Sequence, residues 1–299
     1  MNRNGQKLDR LENPDPEFFK REYLHKNRPC IITGVASQWK AMQWTPEYFK
    51  TSFPGAELRY EIWDGREEMN DPLEFQARQT YVDTTMGEFL ERMLNTQEPS
   101  RKYYCAQFKL FKVLPQLVKD FGSMDEFMGL EAYGPKVLSN KLKIDPFLWL
   151  GPAGVLSTLH FDRADNFFVQ LYGRKKWLHI PPEQSKNLYY PCAGFCESLF
   201  HFSPVDVEHP DLKKWPLYSQ VEPIETIVEP GEMVFTPAGW WHYVRALDPS
   251  ISMNFFWLRP LDHVVSLRKY LYLFGRRKLM SAVGLKDFID KVEVPVPRS

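Results

Sequence analysis

Two histidines and one aspartate stand out because their types and spacing could bind a transition metal. His160 and Asp162 lie in the run LSTLHFDRADNFFVQLYGRK, and His242 follows much later in PGEMVFTPAGWWHYVRAL. Successive side chains of a strand point to opposite faces, so His160 and Asp162 share one side while Phe161 points into packing. Two imidazoles and one carboxylate leave other positions of a metal open, which suits Fe(II) holding an organic cosubstrate and O2. The three residues predict an iron site.

Each histidine taken alone has a simpler explanation. His160 could be a hydrogen-bonded core histidine, and His242 could belong to the aromatic patch WWHY. The long gap between the first pair and His242 is natural if the ligands converge at the mouth of a β-barrel. A metal-binding histidine also needs a neutral ring nitrogen, and a polar partner usually fixes its ring. The metal interpretation therefore depends on the three residues together.

Lys175, in QLYGRKKW, is a candidate cation for the same pocket. A lysine near a strand end is normally a solvated edge residue. Alternation sends Lys175 and Lys176 to opposite faces, and we assign the solvated place to Lys176. Lys175 would then point inward and neutralise the far carboxylate of a dicarboxylic cosubstrate.

Composition and charge limit the classes of protein. A chain of 299 residues with 43% hydrophobic content suits one large domain, or one domain with appended helices. The 38 basic and 38 acidic residues cancel, which removes any global electrostatic reason to bind nucleic acid or membranes. We find neither a membrane-spanning run nor a signal peptide, so we expect a cytoplasmic protein, or a nuclear one if the source is eukaryotic.

The four cysteines are Cys30, Cys105, Cys192 and Cys196. Cys192 and Cys196 could pair or bind zinc, but no second cysteine pair completes a zinc site. Reduced, structurally ordinary thiols are the favoured interpretation.

The first half of the chain predicts alternating helices and strands. Hydrophobic spacing and turn residues indicate helices over 15–30, 46–53, 85–94 and 113–121, and strands over 30–34, 58–63 and 103–108.

From Phe147 the pattern changes to closely spaced strands separated by Gly and Pro, which indicates a small antiparallel barrel or jelly roll. A long Pro-containing insertion over 183–220 interrupts the strands, and we expect it to be functional. A final helix is predicted over 263–278, with an apolar stripe formed by Val264, Leu267, Leu271 and Phe274. An exposed stripe of this kind would support a homodimer through this helix. The alternative is that the stripe packs back onto the barrel.

The chain from Tyr104 to Trp257 resembles the JmjC-domain branch of the Fe(II)/2-oxoglutarate-dependent oxygenases, in particular its protein hydroxylases. The matching segments are YCAQFKLF, WLGPAGVLSTLHFDRADNFFVQLYGRK, SPVDVEHPDL, VEPGEMVFTPAGWWHYVRALD and SMNFFW. Upstream, RPCIITGVASQWKAMQWTPEYF resembles the cupin-like members. The resemblance implies a mostly β protein with flanking helices: an N-terminal α/β region over 1–102, a double-stranded β-helix (jelly roll) over 103–260 and a C-terminal helical segment over 261–299.

The resemblance also implies roles for named residues. His160, Asp162 and His242 would bind Fe(II), and Lys175 would form a charge-assisted bond with the distal carboxylate of 2-oxoglutarate. Hydroxyls of Tyr104 and Ser157 would bond the same carboxylate, and the amides of Asn166 and Asn254 would line the cosubstrate and iron side. Without the resemblance, Tyr104 could be core, Ser157 a turn residue and Asn166 a strand-edge amide.

The implied reaction is hydroxylation of an unactivated C–H bond by O2, with conversion of 2-oxoglutarate to succinate and CO2. A protein or peptide side chain is the favoured substrate. The alternatives are an N-methyl-lysine demethylase, a small-molecule hydroxylase and a non-catalytic cupin-type binding protein. Arginine is the first substrate choice, because Glu61 in RYEIW resembles an acidic residue that contacts the guanidinium in arginyl hydroxylases of this family. A solvated strand glutamate is the alternative for Glu61.

Overall fold

The computed structural model describes residues 7–64, 80–95, 101–133, 140–190 and 201–259. Its strands are β1 (Arg10–Glu12), β2 (Cys30–Thr33), β3 (Glu57–Asp64), β4 (Thr80–Thr85), β5 (Arg101–Phe108), β6 (Phe147–Gly151), β7 (Leu156–Phe161), β8 (Asp165–Tyr172), β9 (Lys175–Ile180), β10 (Ile224–Val228), β11 (Met233–Thr236), β12 (Trp241–Ala246) and β13 (Ser250–Trp257). Its α-helices are α1 (Pro16–Phe19), α2 (Pro46–Ser52), α3 (Met86–Asn95), α4 (Leu110–Val113) and α5 (Asp125–Met128).

The described strands form two sheets. The nine-stranded major sheet has the order β1-β2-β11-β8-β13-β6-β5-β3-β4, and the four-stranded minor sheet has the order β10-β9-β12-β7. Neighbours in the minor sheet are antiparallel, whereas β1 and β2 are parallel. This mostly β architecture, with two facing sheets and few helices, confirms the predicted jelly roll.

Alternation along β8 shows how the sequence separates two cores. Phe167 and Val169 pack into a large aromatic cluster on the helical side of the major sheet, where Phe19 of α1 lies 5.0 Å from Phe235 between ring centroids. Phe168 points the other way and packs against Trp177 of the minor sheet. The space between the two sheets therefore receives every second side chain of β8.

The N-terminal part of the chain contributes strands to both ends of the major sheet. β2 pairs with β11, and β3 pairs with β5. β5 runs across the boundary that the sequence placed between residues 102 and 103, and the division into three regions stays a prediction.

Several predicted elements differ in extent. The first helix ends much earlier than residue 30: α1 continues as a π-helical turn, Lys20–Leu24, and Asn27 then adopts a φ of 50°. Pro29 disfavours helix in the residue before it, which suits the strand that starts at Cys30. The helix predicted over 113–121 is a short α4 followed by a 3-10 helix, Pro115–Asp120.

The described part of the 183–220 insertion covers the outer face of the minor sheet. Val205, Trp215 and Tyr218 pack there against Leu178 and Trp241. The predicted C-terminal helix and its stripe lie outside the described residues, as do Cys192 and Cys196. Cys30 and Cys105 are buried free thiols. Among the described residues, no helix has the length and apolar character that crossing a bilayer requires.

Candidate functional site

The minor sheet brings the two histidines together. His160 on β7 and His242 on β12 are direct cross-strand partners, and their ring centroids lie 4.2 Å apart. Asp162 follows β7 by one residue, with its carboxylate oxygens 3.5 Å from His242 Nε2 and 4.0 Å from His160 Nε2. One ligand atom from each residue lies within 4.8 Å of the others. Three donors at this spacing fit a single metal ion.

Backbone carbonyls fix both rings. Nδ1 of His160 lies 2.6 Å from the carbonyl oxygen of Thr158, and Nδ1 of His242 lies 3.1 Å from that of Trp240. A neutral imidazole that donates its Nδ1–H to a carbonyl keeps the lone pair of Nε2 for a metal. The tautomer required for metal binding is therefore the one that these contacts favour.

Burial shifts the pKa values of His242 and Asp162. It lowers the pKa of His242 well below its ordinary value, so this ring stays neutral. It also raises the pKa of the Asp162 carboxyl. A divalent cation between the donors would favour the ionised carboxylate and offset that effect.

The turn between β11 and β12 holds the aspartate in place. The amide of Gly239 donates to the carbonyl of Asp162 at 2.8 Å, and the amide of Ala238 donates to Asp165 Oδ1 at 2.9 Å. Gly239 has a φ of 87°, a conformation that glycine adopts without steric cost. Asp162 is thus fixed by the same turn that leads into His242.

A cavity opens beside the three donors. Seven of the eight predicted cosubstrate and metal residues line it, together with the aromatic rings of both sheets. The lining includes Tyr104, Gln107, Phe147, Trp149, Ser157, His160, Asp162, Phe168, Lys175, Trp177, His242, Asn254 and Phe256. Gln107 is a lining residue that the sequence did not assign to the site. Alternation along β9 places Trp177 on the side of Lys175.

The structure places Lys175 inside the cavity and Lys176 outside. Lys175 is 4% exposed, and its Nζ donates to Ser252 Oγ at 2.9 Å. Burial lowers the pKa of Lys175 to about 7. Lys176 pairs with the exposed Glu225 at 3.2 Å. Ser252 was missed, although it lies two residues before Asn254 on β13 and therefore on the same face.

The two asparagines have different surroundings. Asn254 lines the cavity. Asn166, on β8, lies outside the cavity wall and faces the space between the sheets, beside Thr236 in the strand register. Within the described part of the chain, neither the amide nitrogen nor the amide oxygen of Asn166 has a hydrogen-bond partner, and the residue is 1% exposed. Buried polar atoms normally have a partner, so this amide is available to a bound group.

Glu61 lies one strand away from the cavity wall. It is the register partner of Tyr104 across β3 and β5, so both side chains project from the same face of the sheet. Trp63 Nε1 donates to Glu61 Oε2 at 3.1 Å, and the Trp63 ring packs edge-on against Tyr104. Glu61 is 9% exposed, so it is not a solvated strand glutamate.

The insertion contributes residues that the sequence did not assign. Backbone bonds from Phe161 to His201 and from Ser203 to Leu159 add a short strand-like segment to the edge of β7. Phe202 stacks on the His160 ring, with centroids 5.4 Å apart. Burial lowers the pKa of His201 to about 4. No local pattern in the sequence signals that this segment returns to the site.

Comparisons with known proteins agree with this geometry. A family model described as a cupin-like domain matches residues 15–263. The chain is 32% identical over 261 residues to "Lysine-specific demethylase 8" of Xenopus tropicalis, covering 84% of this chain and 52% of the relative. It is 30% identical over 248 residues to "HSPB1-associated protein 1 homolog" of Danio rerio, covering 80% of this chain and 54% of the relative. It is 29% identical over 246 residues to "JmjC domain-containing protein D" of Dictyostelium discoideum, covering 80% of this chain and 54% of the relative. The chain thus spans about half the length of these relatives.

Proposed function

Because the chain belongs to the cupin-like JmjC family of oxygenases, we propose that it is an Fe(II)- and 2-oxoglutarate-dependent oxygenase. The observation that carries the proposal is the group formed by His160, Asp162 and His242, with ligand atoms within 4.8 Å of one another. Two neutral imidazoles and one carboxylate are the donor set that non-haem Fe(II) oxygenases use. When bound, Fe(II) and 2-oxoglutarate supply the oxidation of a C–H bond by O2, together with release of succinate and CO2.

Lys175 is the proposed partner of the distal carboxylate of 2-oxoglutarate. Its ammonium group is buried, and within the described part of the chain it donates one hydrogen bond, to Ser252. A carboxylate brought to this position would form a strong charge-assisted bond, and the hydroxyls of Tyr104 and Ser157 line the same cavity. Asn254 in the cavity and the unpartnered amide of Asn166 support polar contacts on the metal side.

Aromatic side chains would keep water from the reacting centre. Trp177 stacks on the His242 ring at a centroid distance of 5.6 Å, and Phe168 packs edge-on against Trp177. Trp149 packs near Tyr104 on the opposite wall. A dry wall strengthens the electrostatic contacts inside the cavity and excludes side reactions with solvent.

For the substrate we propose a protein or peptide side chain, with arginine first. The support is Glu61, a buried carboxylate that projects from the same sheet face as the cavity residue Tyr104. A carboxylate and a guanidinium form two parallel hydrogen bonds, which a lysine ammonium does not reproduce. The Trp63 indole, which donates to Glu61, would hold the carboxylate in orientation.

N-methyl-lysine demethylation is the second candidate. Two relatives carry the name "Lysine-specific demethylase 8", and the rings of Trp63, Tyr104 and Trp149 lie in contact beside the cavity. Aromatic faces bind methylated cations through cation–π attraction. Demethylation would release formaldehyde, whereas hydroxylation would leave one oxygen on the substrate.

Turnover of 2-oxoglutarate tests the oxygenase proposal. The purified protein with Fe(II) and O2 should produce succinate, and His160→Ala, Asp162→Ala and His242→Ala should each abolish it, since too few donors remain to hold the metal. His209→Ala is the matched control, because His209 is a histidine with 85% of its side chain exposed. Succinate production at the wild-type rate by any of the three site variants would refute the metal assignment.

Mass spectrometry of peptide pools tests the substrate. We expect one added oxygen on arginine, lost in Glu61→Gln and retained in Glu57→Gln, which changes an exposed glutamate of the same strand. Release of formaldehyde from methylated lysine would favour the second candidate, and oxidation of free metabolites alone would indicate a small-molecule hydroxylase.

The homodimer and the three-region division of the chain remain proposals. A monomer in sedimentation at micromolar concentration would contradict the homodimer.

A further inference from the structure

Three histidines form a row across the minor sheet. His242 on β12 is the register partner of His160 on β7 and, on its other side, of His179 on β9. His179 is fully buried, and the proposed metal site does not use it. Trp177 stacks on both neighbours, with centroids 5.3 Å from His179 and 5.6 Å from His242. The position of His179 is thus linked by direct packing to a proposed metal ligand.

His179 also joins the two sheets. Its Nε2 lies 3.0 Å from Oγ1 of Thr236, which belongs to β11 of the major sheet. Burying an imidazole removes its hydrogen bonds with water, and an apolar side chain would fill the same space without that cost. In strand register His179 lies beside Ile224, an apolar residue. Packing alone therefore does not explain a histidine at this position, and its hydrogen bond to Thr236 does.

Thr236 is placed where this bond affects the site. It ends β11 and directly precedes the turn Pro237–Gly239, which bonds the backbone of Asp162 through Gly239 and leads into β12 and His242. Holding Thr236 therefore holds the start of that turn. The bond from His179 fixes one end of the segment whose other end carries a proposed ligand.

We infer that His179 and Thr236 form a positioning pair, joined by the Nε2–Oγ1 hydrogen bond, that holds the Pro237–Gly239 turn and His242 in the geometry that metal binding requires. The inference deepens the proposed function and rests on its divalent-metal site. Neither residue contacts the metal in this arrangement. Both act on the ligands through packing and backbone, as residues that orient metal ligands commonly do.

Co(II) binding to the full chain tests the pair, because Co(II) affinity and its visible absorption bands are read without turnover. Thr236→Val keeps the shape and removes the hydroxyl, and we expect it to raise the Co(II) Kd about tenfold, in the range typical of residues behind metal ligands. His179→Leu should have a similar effect. Because both remove the same bond, the double variant should bind about as weakly as the weaker single variant.

Thr226→Val is the matched control. Thr226 is also a buried threonine of the barrel, and its hydroxyl has no hydrogen-bond partner among the described residues. The Co(II) affinity of the Thr226→Val variant should stay within about twofold of wild type, since this change removes no hydrogen bond. His179→Gln, whose amide can replace Nε2 as the partner of Thr236, should restore affinity and the wild-type Co(II) spectrum.

The outcomes separate the pair from the proposed function. Wild-type Co(II) affinity and spectrum in Thr236→Val, or independent additive effects of the two single changes, would overturn the positioning pair alone. If wild-type protein bound no Co(II), both the proposed function and the pair would fail. Thermal unfolding without metal shows whether His179→Leu is folded. If it is not, the Co(II) affinity of Thr236→Val alone tests the positioning pair.

Discussion

Lys175 and Lys176 are sequence neighbours with opposite surroundings. We expect Lys175→Ala to raise the Kd for 2-oxoglutarate by about a hundredfold or more, because loss of one partner of a buried charge pair costs on the order of 3 kcal/mol or more. Calorimetric titration of 2-oxoglutarate into the Mn(II)-loaded protein measures the effect.

Lys176→Ala is the control for this change. Lys176 forms a partly exposed pair with Glu225, and such pairs contribute at most about 1 kcal/mol. Its Kd for 2-oxoglutarate should match wild type. Equal affinity in the two variants would place the cosubstrate elsewhere.

The affinity for 2-oxoglutarate should also depend on pH through Lys175. Burial lowers the pKa of Lys175 to about 7 in the free cavity, and a bound carboxylate favours the ammonium form. Above pH 7 binding must therefore take up a proton. We expect the affinity of the metal-saturated protein to fall about tenfold per pH unit above 7 and to change little just below it. Calorimetry in buffers of different ionisation enthalpy would report the proton, and Lys175→Ala should take up none.

The residues that carry the site were predictable to the extent that strand alternation governs them. Alternation puts His160 and Asp162 on one side of the chain and separates Lys175 from Lys176, and the structure has this arrangement. His179 and Ser252 follow the same rule, but their hydrogen-bond partners lie in the other sheet and are not visible in the local sequence. Contacts between sheets depend on tertiary packing, which a local pattern does not contain.

At the scale of elements, the turn between β8 and β9 places Lys175 at the start of β9. Gly173 has a φ of 69°, and a Cβ at this position would overlap the carbonyl oxygen of Pro249. We expect Gly173→Ala to lower the free energy of unfolding by about 2–4 kcal/mol, from backbone strain and overlap together. Urea denaturation measures this.

Gly55→Ala serves as the comparison, because a Cβ there meets nothing within 4 Å. Its free energy of unfolding should stay close to wild type. Identical urea midpoints for the two variants would mean that the β8–β9 turn rearranges without cost.

Secondary structure was predicted best where a pattern is strong. The strands of the second half have clear alternation and glycine or proline at their ends. β4 (TYVDTT) was missed because it is an edge strand with four polar residues in six, so one buried face is not visible in its sequence. The helical period over 113–121 gave the right location but not the type, since Pro115 begins a 3-10 helix there.

At the scale of the whole molecule, the proposed ligands join parts of both sheets and should stabilise the fold. Mn(II) and 2-oxoglutarate, each at about a hundred times its Kd, should together add roughly 5.4 kcal/mol by mass action, since each contributes about 2.7 kcal/mol. At an unfolding entropy of about 2.1 cal/mol/K per residue, this corresponds to a rise in Tm of roughly 8–9 °C for a chain of 299 residues. Differential scanning calorimetry should show this rise in wild type and not in His242→Ala. An equal rise in the variant would locate binding outside the proposed site.

The pairing of β2 with β11 has a consequence for how the protein is made. Ile31 lies opposite Val234, and Arg10 beside β2 bonds Glu232 across 222 positions of the chain. At about 5–20 residues per second, the ribosome delivers β11 roughly 10–40 s after β2. During that interval the apolar strand Cys30–Thr33 lacks its β11 partner and can pair with β1 alone. The nascent chain therefore carries an apolar strand with an unpaired edge through most of its synthesis. Binding of a chaperone to this segment would protect the chain from aggregation until β11 is made and the barrel closes.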